Sequence, residues 1–164
     1  MSSIPVMTVS STGLFSTTHH FSYQGGTVGR LAVPCVRIRG VLKDNLDHQY
    51  EFSAGEFLPL TFELRRGRNR MGKARIRGGL DYFAEFIYEG HRYALVKQPG
   101  RRFYLLDERK NRQITFQLSG FMRQKVTIDG ARDLALPLLA FIYFVIYSYY
   151  RRYLSIQLYT KILQ

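Results

Sequence analysis

Residues 134–150 read LALPLLAFIYFVIYSYY, seventeen positions without one formal charge. Asp133 stands just before this run, and Arg151 and Arg152 just after it. A stretch so apolar is helical and avoids water on every side, because no face of it is polar enough to be left in solvent. Asp133 is placed to cap the helix. Pro137 falls among the first amides, which lack helical partners anyway. The two arginines suit the negative end of the helix dipole. The sequence therefore predicts an apolar helix over 133–152, and something must enclose it.

Three enclosures are open. A bilayer is one: seventeen residues is the short end of the spanning range. Tyr147, Tyr149, Tyr150 and Tyr153 beside Arg151-Arg152 would then form an aromatic belt with a positive cytoplasmic flank. The protein's own strands are the second, and a dimer interface is the third. Burying such a run is worth on the order of 25 kcal/mol in a bilayer or in a protein core, so energy alone does not choose. The following residues 154–162, LSIQLYTKI, bear on the choice. Leu154, Ile156, Leu158 and Ile162 alternate with Ser155, Gln157, Tyr159 and Lys161, which is a strand pattern. A strand beyond a membrane would be cut off from the sheet it needs. A strand after an enclosed helix can pair back at a rim. The same residues can also continue the helix.

Between about 17 and 130 the apolar period is two. In 112–119 (RQITFQLS), Ile114, Phe116 and Leu118 share one face, with Gln113, Thr115 and Gln117 opposite. Val126 and Ile128 repeat this against Lys125, Thr127 and Asp129. Ala74 and Ile76 face away from Lys73, Arg75 and Arg77, and Val36 and Ile38 away from Arg37 and Arg39. Tyr82, Ala84, Phe86 and Tyr88 oppose Glu85 and Glu89. Turn residues fall between these runs at Gly25-Gly26, Asp44-Asn45, Gly55, Gly67, Gly78-Gly79, Glu89-Gly90, Pro99-Gly100, Lys110-Asn111 and Gly120. The result is about eleven short strands at antiparallel spacing, with no helix-length segment between them to make a parallel sheet.

The chain of 164 residues is long enough for one domain with a real core, and its 46% hydrophobic content excludes a wholly disordered protein. Residues 1–16 are rich in Ser and Thr and lack a positive n-region, so they predict a flexible tail or an edge strand and no secretory signal, with 17–164 as the domain. The single Cys35 excludes a disulfide framework and agrees with a reducing compartment. This points to a cytoplasmic protein, soluble or peripheral at the inner face of a membrane. An integral membrane protein is the alternative if the helix spans.

Short antiparallel strands through 17–130, then Asp133-Leu134-Ala135-Leu136 leading into an apolar helix over 138–150, resemble the layout of the Tubby-like fold. Its relatives include the plant LURP-one-related proteins and the phospholipid scramblases. The resemblance covers most of the chain but lies in layout, without a shared sequence motif. The chain lacks a scramblase-type proline-rich N-terminal region and an identifiable calcium-ligand cluster. The resemblance implies a mostly β protein, a closed antiparallel barrel of about twelve strands around the C-terminal apolar helix. It also implies a binder of anionic, phosphoinositide-like lipid headgroups through a basic face, with no residue-by-residue transfer of a headgroup site.

The residues themselves point the same way. Lys and Arg number 24 against 12 Asp and Glu, a net charge of +12. The densest basic run is 65–77, RRGRNRMGKARIR, holding Arg65, Arg66, Arg68, Arg70, Lys73, Arg75 and Arg77 with no acid among them. Such a cluster attracts phosphate-bearing surfaces and is the candidate lipid and anion site. It would equally serve as a solvated, edge-protecting hairpin. Arg101-Arg102 and Arg109-Lys110 are candidates to extend it. Nucleic acid is a weaker rival partner, with Tyr82, Phe83, Tyr93, Phe103 and Tyr104 as stacking residues. No RNP-like or helix-turn-helix signature accompanies them.

Catalysis, cofactors and metals are not indicated. His19 and His20 point to opposite faces of a strand and cannot share a metal. His48 near Glu51, and His91, are isolated. Asp44, Asp47, Glu51 and Glu56 read as a solvated turn. Cys35 beside Pro34 reads as a small buried hydrophobe. Gly25-Gly26-Thr27-Val28-Gly29 lacks the Lys-Ser/Thr and the helix of a phosphate loop and reads as a hairpin turn.

Overall fold

Alternating residues build twelve strands, and a computed structural model shows how they close. It describes residues 6–12, 16–34, 39–55, 61–77, 82–109, 111–119, 125–130 and 134–162. The strands are β1 (Val6–Thr12), β2 (Ser16–Tyr23), β3 (Gly26–Pro34), β4 (Arg39–Asp44), β5 (Gln49–Ala54) and β6 (Thr61–Arg66). Then come β7 (Asn69–Ile76), β8 (Ala84–Tyr88), β9 (His91–Gln98), β10 (Arg102–Leu106), β11 (Arg112–Ser119) and β12 (Lys125–Asp129). One helix, α1 (Leu136–Ile162), follows. Each strand pairs antiparallel with its sequence neighbours. β12 returns to β1, Val6 opposite Asp129 and Val9 opposite Val126, so the sheet is a closed barrel. The expectations at Cys35, Val36, Arg37, Ile38, Glu56, Gly78-Gly79, Lys110, Gly120 and Asp133 lie outside the described residues.

The hairpins at one end are tight. Gln24 and Gly25 (φ 50° and 81°) and Glu89 and Gly90 (φ 47° and 85°) place both central residues at positive φ. That geometry matches the twist of the flanking strands. The first of these turns sits one residue earlier than the Gly25-Gly26 of the sequence reading.

A barrel of twelve strands is wider than one whose own side chains fill it, since diameter grows with strand number. A helix about 10–12 Å across fits the space. Leu138 through Ile146 are 0–1% exposed without a break, so every face of that part of α1 meets the wall. Phe52, Phe62, Phe86 and Phe116 project inward from four strands, and Phe141 and Phe144 meet the first three of them at centroid distances of 5.4–6.2 Å. That part of the helix is thus enclosed by its own chain, not by a bilayer. Among the described residues no helix is long and apolar enough to cross a membrane.

Two glycines make room for the rod. A Cβ on Gly40 would lie 3.0 Å from the Leu31 side chain and 3.2 Å from Phe144. One on Gly72 would lie 3.2 Å from the Ile87 carbonyl and 3.3 Å from Phe141.

Two expectations are corrected. Residues 154–162 are not a strand: α1 runs on to Ile162. A helix already formed gains a hydrogen bond with each added residue, and no Gly or Pro after Pro137 stops it. The alternation in that stretch is short and does not outweigh this continuity. Nor is the whole of 1–16 a tail or an edge strand, since its strand is paired on both sides. Val6–Thr12 is β1, with Met7 and Val9 buried and Ser10 and Thr12 exposed. Its Ser and Thr residues suit the outer side of a strand. Without it β2 and β12 would be open edges.

Candidate functional site

The basic run 65–77 is one hairpin that spans the barrel wall. In β6, Phe62 and Leu64 point inward, so Thr61, Glu63 and Arg65 point outward. In β7, Gly72 and Ala74 face the core, leaving Lys73 and Arg75 outside, with Arg77 following on the same side. Gly67, at φ 57°, opens the turn, and Arg66 and Arg68 sit at its tip. Arg65 lies opposite Arg70 beside a register shift. From Arg70 to Arg77 the strand covers roughly 23 Å, so the seven cations form a stripe and not a cup.

The sequence reading treated this run as free of acids. The fold brings acids to it from the neighbouring strands. Glu63 sits opposite Lys73 across the β6–β7 ladder, and Glu85 opposite Arg75 across β7–β8. Glu63 takes Arg65 at 3.1 Å and Arg70 at 3.6 Å. The Arg77 guanidinium donates to Glu85 Oε2 from Nε at 3.0 Å and from Nη2 at 2.7 Å. Glu51 pairs in register with Arg65. Arg66 stands over the Tyr50 ring, 5.7 Å from its centroid. Lys73 and Arg75 make no ion pair among the described residues. The alternation had placed Glu85 on the face away from the aromatics. What it lacked was the pairing that sets that face beside Arg75.

An open depression of about 1160 Å³ lies against the outer wall of β6–β10. Lys73, Arg75, Arg77 and Arg92 line it beside Glu63, Glu85, Asp107 and Glu108, with Ile87, Ala94 and Tyr82. Glu108 is engaged at its edge, accepting the Arg92 backbone amide at 3.0 Å. The depression therefore offers three cations without an ion pair among the described residues, Lys73, Arg75 and Arg92, on a partly apolar floor. Arg92 was not singled out from the sequence, since nothing local separates it from other surface arginines.

The other candidates resolve separately. Arg102 donates to Gln117 at 2.8 Å on β10 and lies away from the hairpin, as does Arg101 in the β9–β10 turn. The Arg109 amide caps the Asp107 carboxylate at 2.9 Å. Phe83 and Phe103 are core residues, packed on each other at 5.2 Å and on Tyr149 and Tyr150 of the helix. They are not available to stack bases. Asp44 accepts the Leu46 and His48 amides at 2.8 and 2.9 Å and meets His48 Nδ1 at 2.9 Å. Burial works against its ionised form, but these bonds from His48 and Leu46 hold the carboxyl below its usual range. The acidic turn is thus a capped loop. Among the described residues no group of three metal-ligating side chains exists.

His19, weighed in the sequence only as half of a metal pair with His20, is a titratable group inside the barrel. It is fully buried, shares a 2.7 Å hydrogen bond between Nδ1 and the Tyr143 hydroxyl, and lies edge-on to Tyr147 at 4.6 Å. Its Nε2 has no hydrogen-bond partner among the described residues. Burial, then the nearby His20 and Arg151, lowers its pKa to about 4. Neutral at physiological pH and sealed from solvent, it holds α1 against β2.

Comparison with known family models, curated proteins and solved structures finds no match to this chain.

Proposed function

We propose that this protein is a non-catalytic module that binds anionic membrane lipid through the outer wall of β7. The reading extends the layout's resemblance to the Tubby-like fold, whose members bind phosphoinositide headgroups through basic residues on the barrel. The observation that carries it is the pair Lys73 and Arg75. They project side by side over the depression and are not neutralised by an ion pair among the described residues, while Arg65, Arg70 and Arg77 are engaged by carboxylates. Near an anionic surface each such cation contributes about 1 kcal/mol. Glu63 and Glu85 temper the site, so it suits a polyanionic surface better than a single weak anion. The corresponding station is peripheral, at an anionic inner membrane face.

The test is co-sedimentation of full-length protein with phosphatidylcholine vesicles, with and without phosphatidylserine or a phosphoinositide. The double reversal Lys73→Glu/Arg75→Glu is expected to lower binding to acidic vesicles at least tenfold, with an unchanged far-UV circular dichroism spectrum. Glu63→Gln is expected to raise binding. Equal binding by the wild type to neutral and acidic vesicles would defeat the reading.

A further inference from the structure

Antiparallel strands sort their residues by barrel end. Turns 24–25, 67–68 and 89–90 mark the end where α1 enters, and Leu136 lies against Gly29 there. α1 leaves through the other end. There the Tyr147 hydroxyl donates to Thr17 at 3.2 Å and Arg151 donates to the Pro34 carbonyl at 3.2 Å. Lys97 Nζ sits over the Tyr149 and Tyr150 rings at 5.4 and 5.8 Å.

Charge divides unevenly between these ends. Around the exit stand Arg39 opening β4, Lys97 closing β9, Arg101 and Arg102 at the β9–β10 turn, Lys125 opening β12, and Arg151 on the helix. The single acid of the described residues near this rim is Glu85, and Arg77 occupies it. The entry end instead holds Asp44, Asp47, Glu89, Asp107, Glu108 and Asp129, offset by the arginines of the hairpin tips. Arg39 and Arg102 lie on strands six places apart in either direction around the twelve-strand ring, so they stand on opposite sides of the opening, each on the outer wall. The wall stripe joins the same rim, since β7 ends there with Arg75 and Arg77 close to its last residue. The rod also outruns its sheath. Twenty-seven helical residues span about 40 Å, whereas strands of five to nine residues reach at most about 30 Å.

We infer that the helix-exit rim of the barrel, on the side of β7, is the surface that faces an anionic bilayer. A headgroup pocket needs cations converging on one spot. A ring of cations on opposite strands around an opening fits a plane of negative charge. The inference rests on the lipid reading above and adds to it an orientation: the barrel stands on its exit end, leaning toward β7.

The experiment compares full-length wild type, Arg39→Glu, Arg102→Glu and Lys73→Glu/Arg75→Glu on phosphatidylcholine vesicles with and without phosphatidylserine. Each single rim reversal is expected to lower binding to acidic vesicles about tenfold, and the effect to fade as salt screens it. Where a reversal lowers the thermal midpoint, Arg39→Gln and Arg102→Gln replace it, with an expected loss of about threefold each. Either rim variant binding as the wild type does, while the β7 double variant has lost binding, overturns the orientation and leaves the lipid reading standing. Full displacement from vesicles by a soluble inositol phosphate also overturns it, because a contact spread along a rim has no single headgroup to compete for. Wild type that binds acidic and neutral vesicles alike, or that is held by single-stranded RNA but not by acidic vesicles, ends both.

Discussion

At the scale of single residues, His19 links the strands to the rod and makes the fold sensitive to acid. Its folded-state pKa, about 4, lies below the ordinary 6.5. The unfolded chain therefore binds a proton that the folded one refuses, and stability falls as pH drops from 6.5 toward 4. The loss is roughly 3 kcal/mol, complete near the lower value and absent above neutrality. Urea midpoints across that window are expected to fall for the wild type and to stay nearly level for His19→Phe. Gly40 works by size. Gly40→Val places new atoms against Leu31 and Phe144 and is expected to cost about 1–3 kcal/mol, read as a lower denaturation midpoint at unchanged spectrum. Neither role was legible in the sequence. His19 looked like any strand histidine, and Gly40, following Arg39, carried no local signal. Each acquires its meaning from a helix more than one hundred positions away.

At the scale of elements, the strands were legible where both faces were distinct. Ile114, Phe116, Leu118, Val126 and Ile128 are all buried, on the face the alternation assigned to them. The helix was equally plain, because a run with no polar face has one solution in water. Its far end was not: period-two spacing over nine residues competes poorly with a helix already propagating. Phe144 meets both Phe52 and Phe62 inside the barrel, so Phe144→Ala is expected to lower stability by about 3–5 kcal/mol in denaturant titrations. The basic hairpin was visible as a run of charge, but the acids that temper it, Glu63 and Glu85, enter only through strand pairing.

At the scale of the whole molecule, closure decides cooperativity. β1 pairs with β12 across nearly the full length of the chain, so the seam forms late and at high loop-closure cost. Refolding is expected in the millisecond-to-second range or slower, as a transition shared by fluorescence and circular dichroism. Removing residues 1–12 leaves β2 and β12 as bare edges around an apolar rod. That truncation is expected to aggregate on gel filtration, whereas loss of a mere tail would leave a monodisperse protein. The uneven charge of the two ends is a property of this scale alone, since its members come from β4, β9, β10, β12 and α1.

By itself, the sequence determined that there would be a rod without a polar face and a dozen or so ribbons with one apolar side each. Both follow from local periodicity and the cost of wetting hydrocarbon. Only the tertiary structure decided that the ribbons close around the rod, that β1 is the closing stave, and which charges meet or gather at one mouth. Those outcomes depend on strand register and on contacts between residues distant in the chain, and hydropathy along a line carries no record of either.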